Sequence, residues 1–317
     1  MLSTIAFVAV LSGCGFTGDV SHPAAAPARS WMTSGAQKEP SLLYVSNWGT
    51  AAVTIYTYLN GGGLVLVGQL TGFVQPAGMC ADKAGNVWIT DYGTGVKTLY
   101  EYAHGGTSPI RILRQQNGKP YDCSVDLNTG DLAVANELPE GKLTFANVTV
   151  YPPGAHQGIH YAPPYGFQRV DFLAYDDKSN LYVDGLELYY NVRKLFELHK
   201  GGTKLRRLAL RGANLEEPGA IQWVNPTLLI GDNNLGNQGV AGAYKVLVSK
   251  TVATVVGKLS YQETQAAGAF WRRSGRIIVP DTTGNIVRIY NLSDGSLYSS
   301  FTAGLSQPFG AVVSQAP

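Results

Sequence analysis

The stretch NVWITDYGTG, residues 86–95, contains the pattern that decides the fold. A short apolar run, Val87 to Ile89, leads through Thr90 to an acid, Asp91, and then to a glycine-rich turn. Short apolar runs bounded by Asx and Gly are typical of β-strands that end in tight turns. Asp91 is therefore either a turn former or a catalytic or metal-binding acid at a strand end.

The same pattern recurs along the chain. Apolar runs end in Asx at Asn47, Asp91, Asn136, Asp232 and Asp281, and a sixth run, LYVDG, has Asp184 one place early and Gly185 in the slot. Positions 47, 91, 136, 185, 232 and 281 lie 44 to 49 residues apart, a period typical of propellers and solenoids. Because a catalytic residue would be singular, we interpret the repeated Asx as a turn former that bonds backbone N–H groups two residues on.

Each unit contains the parts of a four-stranded blade. In the second unit these are GMCAD, VWITD, KTLYEY and PIRILR, separated by tight or glycine-rich turns. Six units predict an all-β, six-bladed propeller over residues 41–317, with four antiparallel strands per blade. QPFGAVVS, residues 307–314, matches the first strand of a unit, so the C-terminal strand should close the ring with the N-terminal three.

These repeats resemble NHL-type β-propellers, a group that includes gluconolactonase-like and virginiamycin B lyase-like proteins. The resemblance covers residues 42–316 and implies the fold. In gluconolactonase-like enzymes it would also imply an axial metal, held by an acid of an early Glu-Gly-Pro motif, but this motif does not occur here. The lyase-like enzymes need a His base in a late blade, whereas the last His here is His199.

The composition agrees with a β-rich protein. The 317 residues include 38 Gly and 18 Tyr, and only 15% are charged, which favours β packing with many turns over helices. The net charge of +2 argues against nucleic-acid binding, which requires a basic face to neutralise phosphates.

The N-terminal residues predict where the protein is located in the cell. Residues 1–14 form an apolar segment that ends in Leu11-Ser12-Gly13-Cys14, which resembles a bacterial lipobox with Cys14 as the lipid-modified residue; an ordinary secretory signal is the alternative. Residues 15–40 are rich in Ala, Pro, Gly and Ser and predict a flexible tether. We therefore expect a monomer that is anchored to the bacterial cell envelope and faces the periplasm or the exterior.

Two further cysteines, Cys80 and Cys123, form an even pair in an oxidising compartment. Both are predicted on the innermost strands of adjacent blades, on opposite faces of those strands. A disulfide between the two blades is the prediction, and two buried free thiols are the alternative.

The axial mouth supplies the candidate metal ligands. Four places before the turn position, the units carry Gly78, Asp122, Phe172, Gly219, Gly268 and Gly310. Asp122 breaks the glycine pattern, and Asp171 lies one residue from the same slot in the next blade. Two carboxylates here could hold a divalent cation such as calcium, or they could be two solvated loop acids.

Two other motifs have a plain interpretation. His156 and His160, in HQGIH, have a spacing that could chelate a metal on a helix, but they lie in a Pro-flanked loop. KLRRLALR, residues 204–211, alternates basic and apolar residues on a predicted outermost strand, where basic residues discourage strand addition. A phosphate- or lipid-binding strip is the alternative.

We predict a non-enzymatic module that binds a protein, a glycan or a small ligand on the axial face. Aromatic contacts would come from Trp48, Tyr92, Tyr121 and Phe309, in or beside the axial loops. The alternative is a metal-dependent lactonase- or esterase-like hydrolase, or a lyase, with Asp122 and Asp171 among its ligands. A purely structural envelope component is a third possibility, because this fold hosts several classes of function.

Overall fold

The computed structural model describes residues 29–59, 64–115, 118–137, 146–164, 167–187, 192–237, 240–261 and 270–317. These ranges contain 25 β-strands and two short 3-10 helices, Ala36–Lys38 and Leu235–Asn237, which confirms the predicted all-β class. Across the ranges described, no helix has the length and apolar character needed to cross a membrane. The predicted signal segment with Cys14, and the tether as far as residue 28, lie outside the described residues.

The first sheet joins strands that are far apart in the sequence. Its strands are β1 (Trp31–Met32), β2 (Ser41–Asn47), β3 (Ala52–Thr57), β4 (Leu66–Leu70) and β25 (Pro308–Gln315). Their order is β1-β4-β3-β2-β25, and every pair is antiparallel. The C-terminal strand β25 therefore completes the sheet of β2, β3 and β4, as predicted.

Strand β1 lies inside the segment predicted to be a tether. Trp31 pairs with Gln69 and Met32 with Gly68, and Ala36 is buried in the core. Gly68 makes this possible, because a Cβ at that position would lie 2.4 Å from the Met32 sulfur. The ordered domain thus begins before residue 41, the predicted boundary.

The next two sheets are four-stranded antiparallel meanders. The second sheet contains β5 (Pro76–Ala81), β6 (Val87–Asp91), β7 (Thr98–Tyr102) and β8 (Pro109–Arg114). The third contains β9 (Lys119–Val125), β10 (Leu132–Glu137), β11 (Asn147–Tyr151) and β12 (Ile159–Tyr161). The strands of the second sheet match those predicted from the repeat.

An eight-stranded sheet follows, built from two antiparallel four-stranded runs. The runs are β13 (Phe167–Tyr175), β14 (Leu181–Glu187), β15 (Arg193–Leu198) and β16 (Arg206–Arg211), and then β17 (Pro218–Val224), β18 (Thr227–Asp232), β19 (Gly242–Ser249) and β20 (Val252–Ser260). The outermost strands β16 and β20 pair in parallel, from Ala209–Val252 to Arg211–Thr254. The basic strand is outermost in its run, as predicted, but β20 pairs with the second half of its edge, Ala209 to Arg211.

The last sheet contains β21 (Trp271–Arg273), β22 (Arg276–Asp281), β23 (Ile286–Asn291) and β24 (Leu297–Phe301). Six strands, which we call the inner strands, touch one another in cyclic order: β5, β9, β13, β17, β21, β25 and again β5. Each inner strand occupies the same position in its repeat unit, so all six run in the same direction. We call the face of the ring where these strands begin the start face, and the opposite face, where they end, the end face.

A disulfide connects two inner strands. Cys80 on β5 and Cys123 on β9 are joined across a Cα–Cα distance of 5.6 Å, and both are buried beside Trp88 in one hydrophobic cluster. The predicted pairing is confirmed.

The repeated Asx residues have more contacts than the turn interpretation predicted. Asp91 accepts the N–H of Gly93, two residues on, and also those of Val74 and Gln75, which precede β5. Asp232 likewise accepts the N–H groups of Glu216 and Glu217 before β17. At Asn47, Asp91 and Asp232 the side chain therefore bonds the segment that leads into the inner strand of its own sheet, a structural role that answers the question raised by Asp91.

Candidate functional site

The inner strands are irregular near their beginnings. The pairing register shifts between Pro76 and Met79 on β5, between Val170 and Leu173 on β13, and at corresponding places on β9, β17 and β25. Such bulges re-aim side chains and leave backbone groups without a ladder partner. They lie on the start face, which is where the sequence placed its candidate ligands.

In three units, the polar residue just before the Asx position bonds these irregular segments: Ser46, Thr90 and Asp184. Ser46 accepts the N–H of Gly310 at 2.8 Å and donates to the Ala77 carbonyl at 2.7 Å. Asp184 occupies the same place in its unit, and its Oδ1 accepts the N–H of Phe172 at 2.8 Å. Its Oδ2 is buried without a hydrogen-bond partner among the described residues. Burial, and then repulsion from Asp171, raise the pKa of Asp184 well above its usual value.

Asp171 is held by two arginines. Its Oδ1 lies 2.9 Å from Arg169 Nε, and its Oδ2 accepts a hydrogen bond of 2.8 Å from an Arg193 Nη. Asp171 is fully buried, and burial raises its pKa, while the two guanidinium groups oppose that rise. Its two oxygens therefore already face cations of the protein.

Glu137 and Tyr92 extend this cluster toward the surface. Tyr92 donates its hydroxyl to Glu137 Oε2, and Arg169 Nε lies 3.4 Å from Glu137 Oε1. Lys119 Nζ lies 5.4 Å from the centre of the Tyr92 ring, within cation–π range. Arg169 therefore touches two carboxylates with one nitrogen, while its side chain remains 36% exposed.

Asp122 lies in the interior. Its Oδ1 occupies the space a Cβ at Gly78 would need, only 2.2 Å from that position, which explains the glycine there. Burial raises the pKa of Asp122 to about 8, although the N–H groups of Cys123 and Leu173 bond to the carboxyl. Burial therefore favours the protonated form of Asp122, which is not the solvated loop acid of the alternative interpretation.

The four predicted aromatic contacts are brought together. Trp48 stacks on Phe309 with ring centres 4.2 Å apart, and Tyr121 lies 5.2 Å from Phe309 and 5.3 Å from Tyr92. Trp48, Tyr92 and Tyr121 are partly exposed, whereas Phe309 is 2% exposed and supports the others from beneath. Phe172 extends the cluster at 5.5 Å from Tyr121, so aromatic rings fill the centre of the start face.

The predicted metal ligands find little support. Among the described residues, no group of three or more His, Cys, Asp or Glu side chains is placed to hold a metal ion. His156 and His160 are exposed, and the His160 ring is hydrogen-bonded to Thr149 at 3.0 Å. The calcium site at Asp122 and Asp171 stays a prediction from the sequence.

Sequence reasoning missed Arg169, Arg193, Glu137 and Asp184. Two signals were available. Arg169 and Asp171 are two residues apart on one strand, a spacing that places side chains on the same side. Asp184 departs from the repeat by one residue, which turns a side chain to the other face of its strand. Arg193 carried no such signal, because it comes from another strand.

No protein-family model matches the chain, and no curated protein matches it. Among solved structures, the chain is similar to one in the crystal structure of the nidogen/laminin complex, with 15% identity and a TM-score of 0.66 over 87% of this chain and 99% of the other. It is also similar to a functionally unknown protein from Desulfotomaculum acetoxidans DSM 771, with 11% identity and a TM-score of 0.54 over the same shares. At these identities the likeness shows the fold alone, which is propeller-like.

Proposed function

We propose that this protein is a non-enzymatic binding module whose start face receives an acidic segment of a protein partner. The observation that carries the proposal is Arg169: its Nε lies in ion-pair range of Asp171 and Glu137, at 2.9 and 3.4 Å, yet its side chain is 36% exposed. Arginine and aromatic side chains dominate binding energy at protein interfaces. A guanidinium already held in place also loses less conformational entropy on binding than a free one.

The charges favour an acidic partner. Burial raises the pKa of Asp122 and Asp184 and so favours their neutral forms. The other two acids of the cluster, Asp171 and Glu137, face three cations, Arg169, Arg193 and Lys119. The cations outnumber these two acids, and Tyr92 and Trp48 add partly exposed rings on the same face. The similar fold in the nidogen/laminin complex agrees with a protein partner but does not identify one.

The metal-dependent hydrolase is the weaker alternative. A calcium ion needs six or more oxygen ligands, several of them ionised carboxylates. Asp171 would have to exchange two guanidinium contacts for the ion, and Asp122 would have to lose a proton whose pKa is about 8.

Site-specific photo-crosslinking tests the binding proposal. A benzophenone amino acid in place of Trp48 should form an adduct with one acidic protein in the native host, and Arg169→Gln in the same chain should abolish it. The matched control is the same probe at Tyr298, which is 43% exposed on β24 and should give no adduct. Equal adducts at both positions, or an adduct that persists with Arg169→Gln, would contradict the proposal. The absence of an adduct at both positions would also count against the proposal.

We also propose that the chain is a monomeric six-bladed ring, tethered to the bacterial envelope by a lipid on Cys14. The six inner strands in cyclic contact support the blade number, and the lipobox-like LSGC supports the anchor. Metabolic labelling with an alkyne fatty acid should mark the wild type but not Cys14→Ser. Equal labelling of both would contradict the anchor.

A further inference from the structure

A cavity opens on the end face, opposite the site described above. All six inner strands contribute to its wall near their ends, through Ala81, Val125, Tyr175, Trp223, Arg273 and Gln315. Its volume is about 540 Å³, within the range of roughly 300–1,000 Å³ typical of small-molecule sites. Because all six inner strands reach this cavity, it lies on the axis of the ring.

Aromatic side chains form its apolar part. Trp223 stacks on Tyr182 with the rings nearly parallel, 6.4 Å apart, and its indole N–H has no hydrogen-bond partner among the described residues. Trp271 also lines the cavity and packs against three separate hydrophobic clusters, which places it across the centre of the ring. Tyr175 completes the aromatic wall. Tyr182 lies parallel to Trp223, and hydrophobic clusters contact Trp271, so both indole rings offer pre-formed flat surfaces.

The polar part of the wall is almost neutral. It contains two cations, Arg273 and Lys83, and three acids, Asp82, Asp176 and Asp177. Asp82 and Asp176 already accept backbone N–H groups of their own turns, and Asp177 accepts the side-chain amide of Asn225.

Side-chain amides supply further hydrogen bonds at the cavity. Gln222 and Gln315 line it, and each has an amide that can both donate and accept. Flat aromatic surfaces beside amides of this kind suit a ligand that has apolar ring faces and a rim of hydroxyl groups.

We propose that the end-face cavity binds a neutral saccharide of one or two sugar rings. The C–H faces of the sugar would pack on Trp223 and Trp271, and its hydroxyls would bond with the side-chain amides of Gln222 and Gln315. A phosphorylated or strongly acidic sugar is disfavoured, because Arg273 and Lys83 are outnumbered by acids. The site is independent of the start face, which is separated from it by the buried aromatic cluster around Phe309.

Titration of the full chain with defined sugars tests this inference. The probes are glucose, N-acetylglucosamine, maltose and cellobiose, with glucuronate and glucose 6-phosphate as charged counterparts, followed by tryptophan fluorescence and saturation-transfer NMR. At least one neutral sugar should bind saturably. Trp223→Leu, which removes the aromatic surface, and Gln222→Leu, which removes the amide, should each weaken it, by about tenfold when combined.

The matched control is Trp48→Phe at the start face, which should leave sugar binding unchanged. Circular dichroism and the melting temperature establish that each variant is folded. Three results would overturn the proposal: no saturable binding of any neutral probe, tighter binding of the charged sugars, or binding that Trp48→Phe removes while the Trp223 and Gln222 variants retain it.

Discussion

Replacing Asp122 with asparagine should remove a large part of the pH dependence of this protein's stability. Burial raises the pKa of Asp122 from 3.8 to about 8 in the folded chain. Between those values the folded state holds a proton that the unfolded state releases. The free energy of unfolding therefore falls as the pH rises through this window, and the contribution is complete only below the unfolded pKa.

The magnitude follows from the shift. Each pH unit within the window removes about 1.4 kcal/mol from the free energy of unfolding. Between pH 4 and pH 7 the wild type should thus lose roughly 4 kcal/mol through Asp122. Asparagine cannot ionise, and its Oδ1 can still accept the N–H groups of Cys123 and Leu173 that the carboxyl accepts. The variant should therefore lose roughly 4 kcal/mol less than the wild type over this range.

Urea unfolding followed by tryptophan fluorescence, at about pH 4.5, 6 and 7.5, measures the difference. Asp184 has a pKa raised in the same direction, so some slope should remain in the variant. The control is Asp294→Asn: Asp294 is exposed, and its pKa is lowered from 3.8 by hydrogen bonds from Ser296, so its contribution changes only below that value and the variant should keep the wild-type slope over this range. Equal slopes for the wild type and Asp122→Asn would refute the reasoning.

Two further predictions concern the disulfide and the metal. Reducing the Cys80–Cys123 bond, which closes 43 residues of sequence, should lower the free energy of unfolding by about 4 kcal/mol. Denaturation with and without reductant measures this, the Cys80→Ala/Cys123→Ala variant should not respond to reductant, and identical midpoints for oxidised and reduced wild type would contradict it. Calorimetry should detect no calcium binding at millimolar concentrations, since Arg169 and Arg193 hold Asp171; micromolar binding lost in Asp122→Ala would instead favour the hydrolase.

The repeat made most strands predictable from the sequence, but strand pairings between different repeat units were not predictable. A period of 44 to 49 residues located the inner strands and the closing strand β25. It could not locate the parallel pairing of β16 with β20, because that contact depends on how two neighbouring units approach each other. Nor could it find β1, whose two residues have no counterpart in the other units.

The candidate site shows the same division. Residue type and repeat position picked out Tyr92, Tyr121, Trp48 and Phe309, whose rings lie near one another; their contact with a ligand stays a prediction. The sequence could not show that Asp171 is neutralised, because one of its partners, Arg193, comes from a different strand and leaves no periodic trace. The sequence also could not show whether Asp122, which replaces the glycine of other units, is exposed or buried. In the structure it is buried.

The pairing of β25 with β2 also fixes an order of events during synthesis. Ser306, which leads into β25, donates its N–H to Asn47, 259 residues earlier in the chain. Until β25 has been made, β2 has an unpaired edge of buried-type residues, Leu42 to Val45, the kind of edge that recruits strands from other chains. Closing so long a loop is slow compared with local pairing. The first sheet to leave the ribosome is therefore the last to be completed, and during that interval the growing chain is most exposed to aggregation.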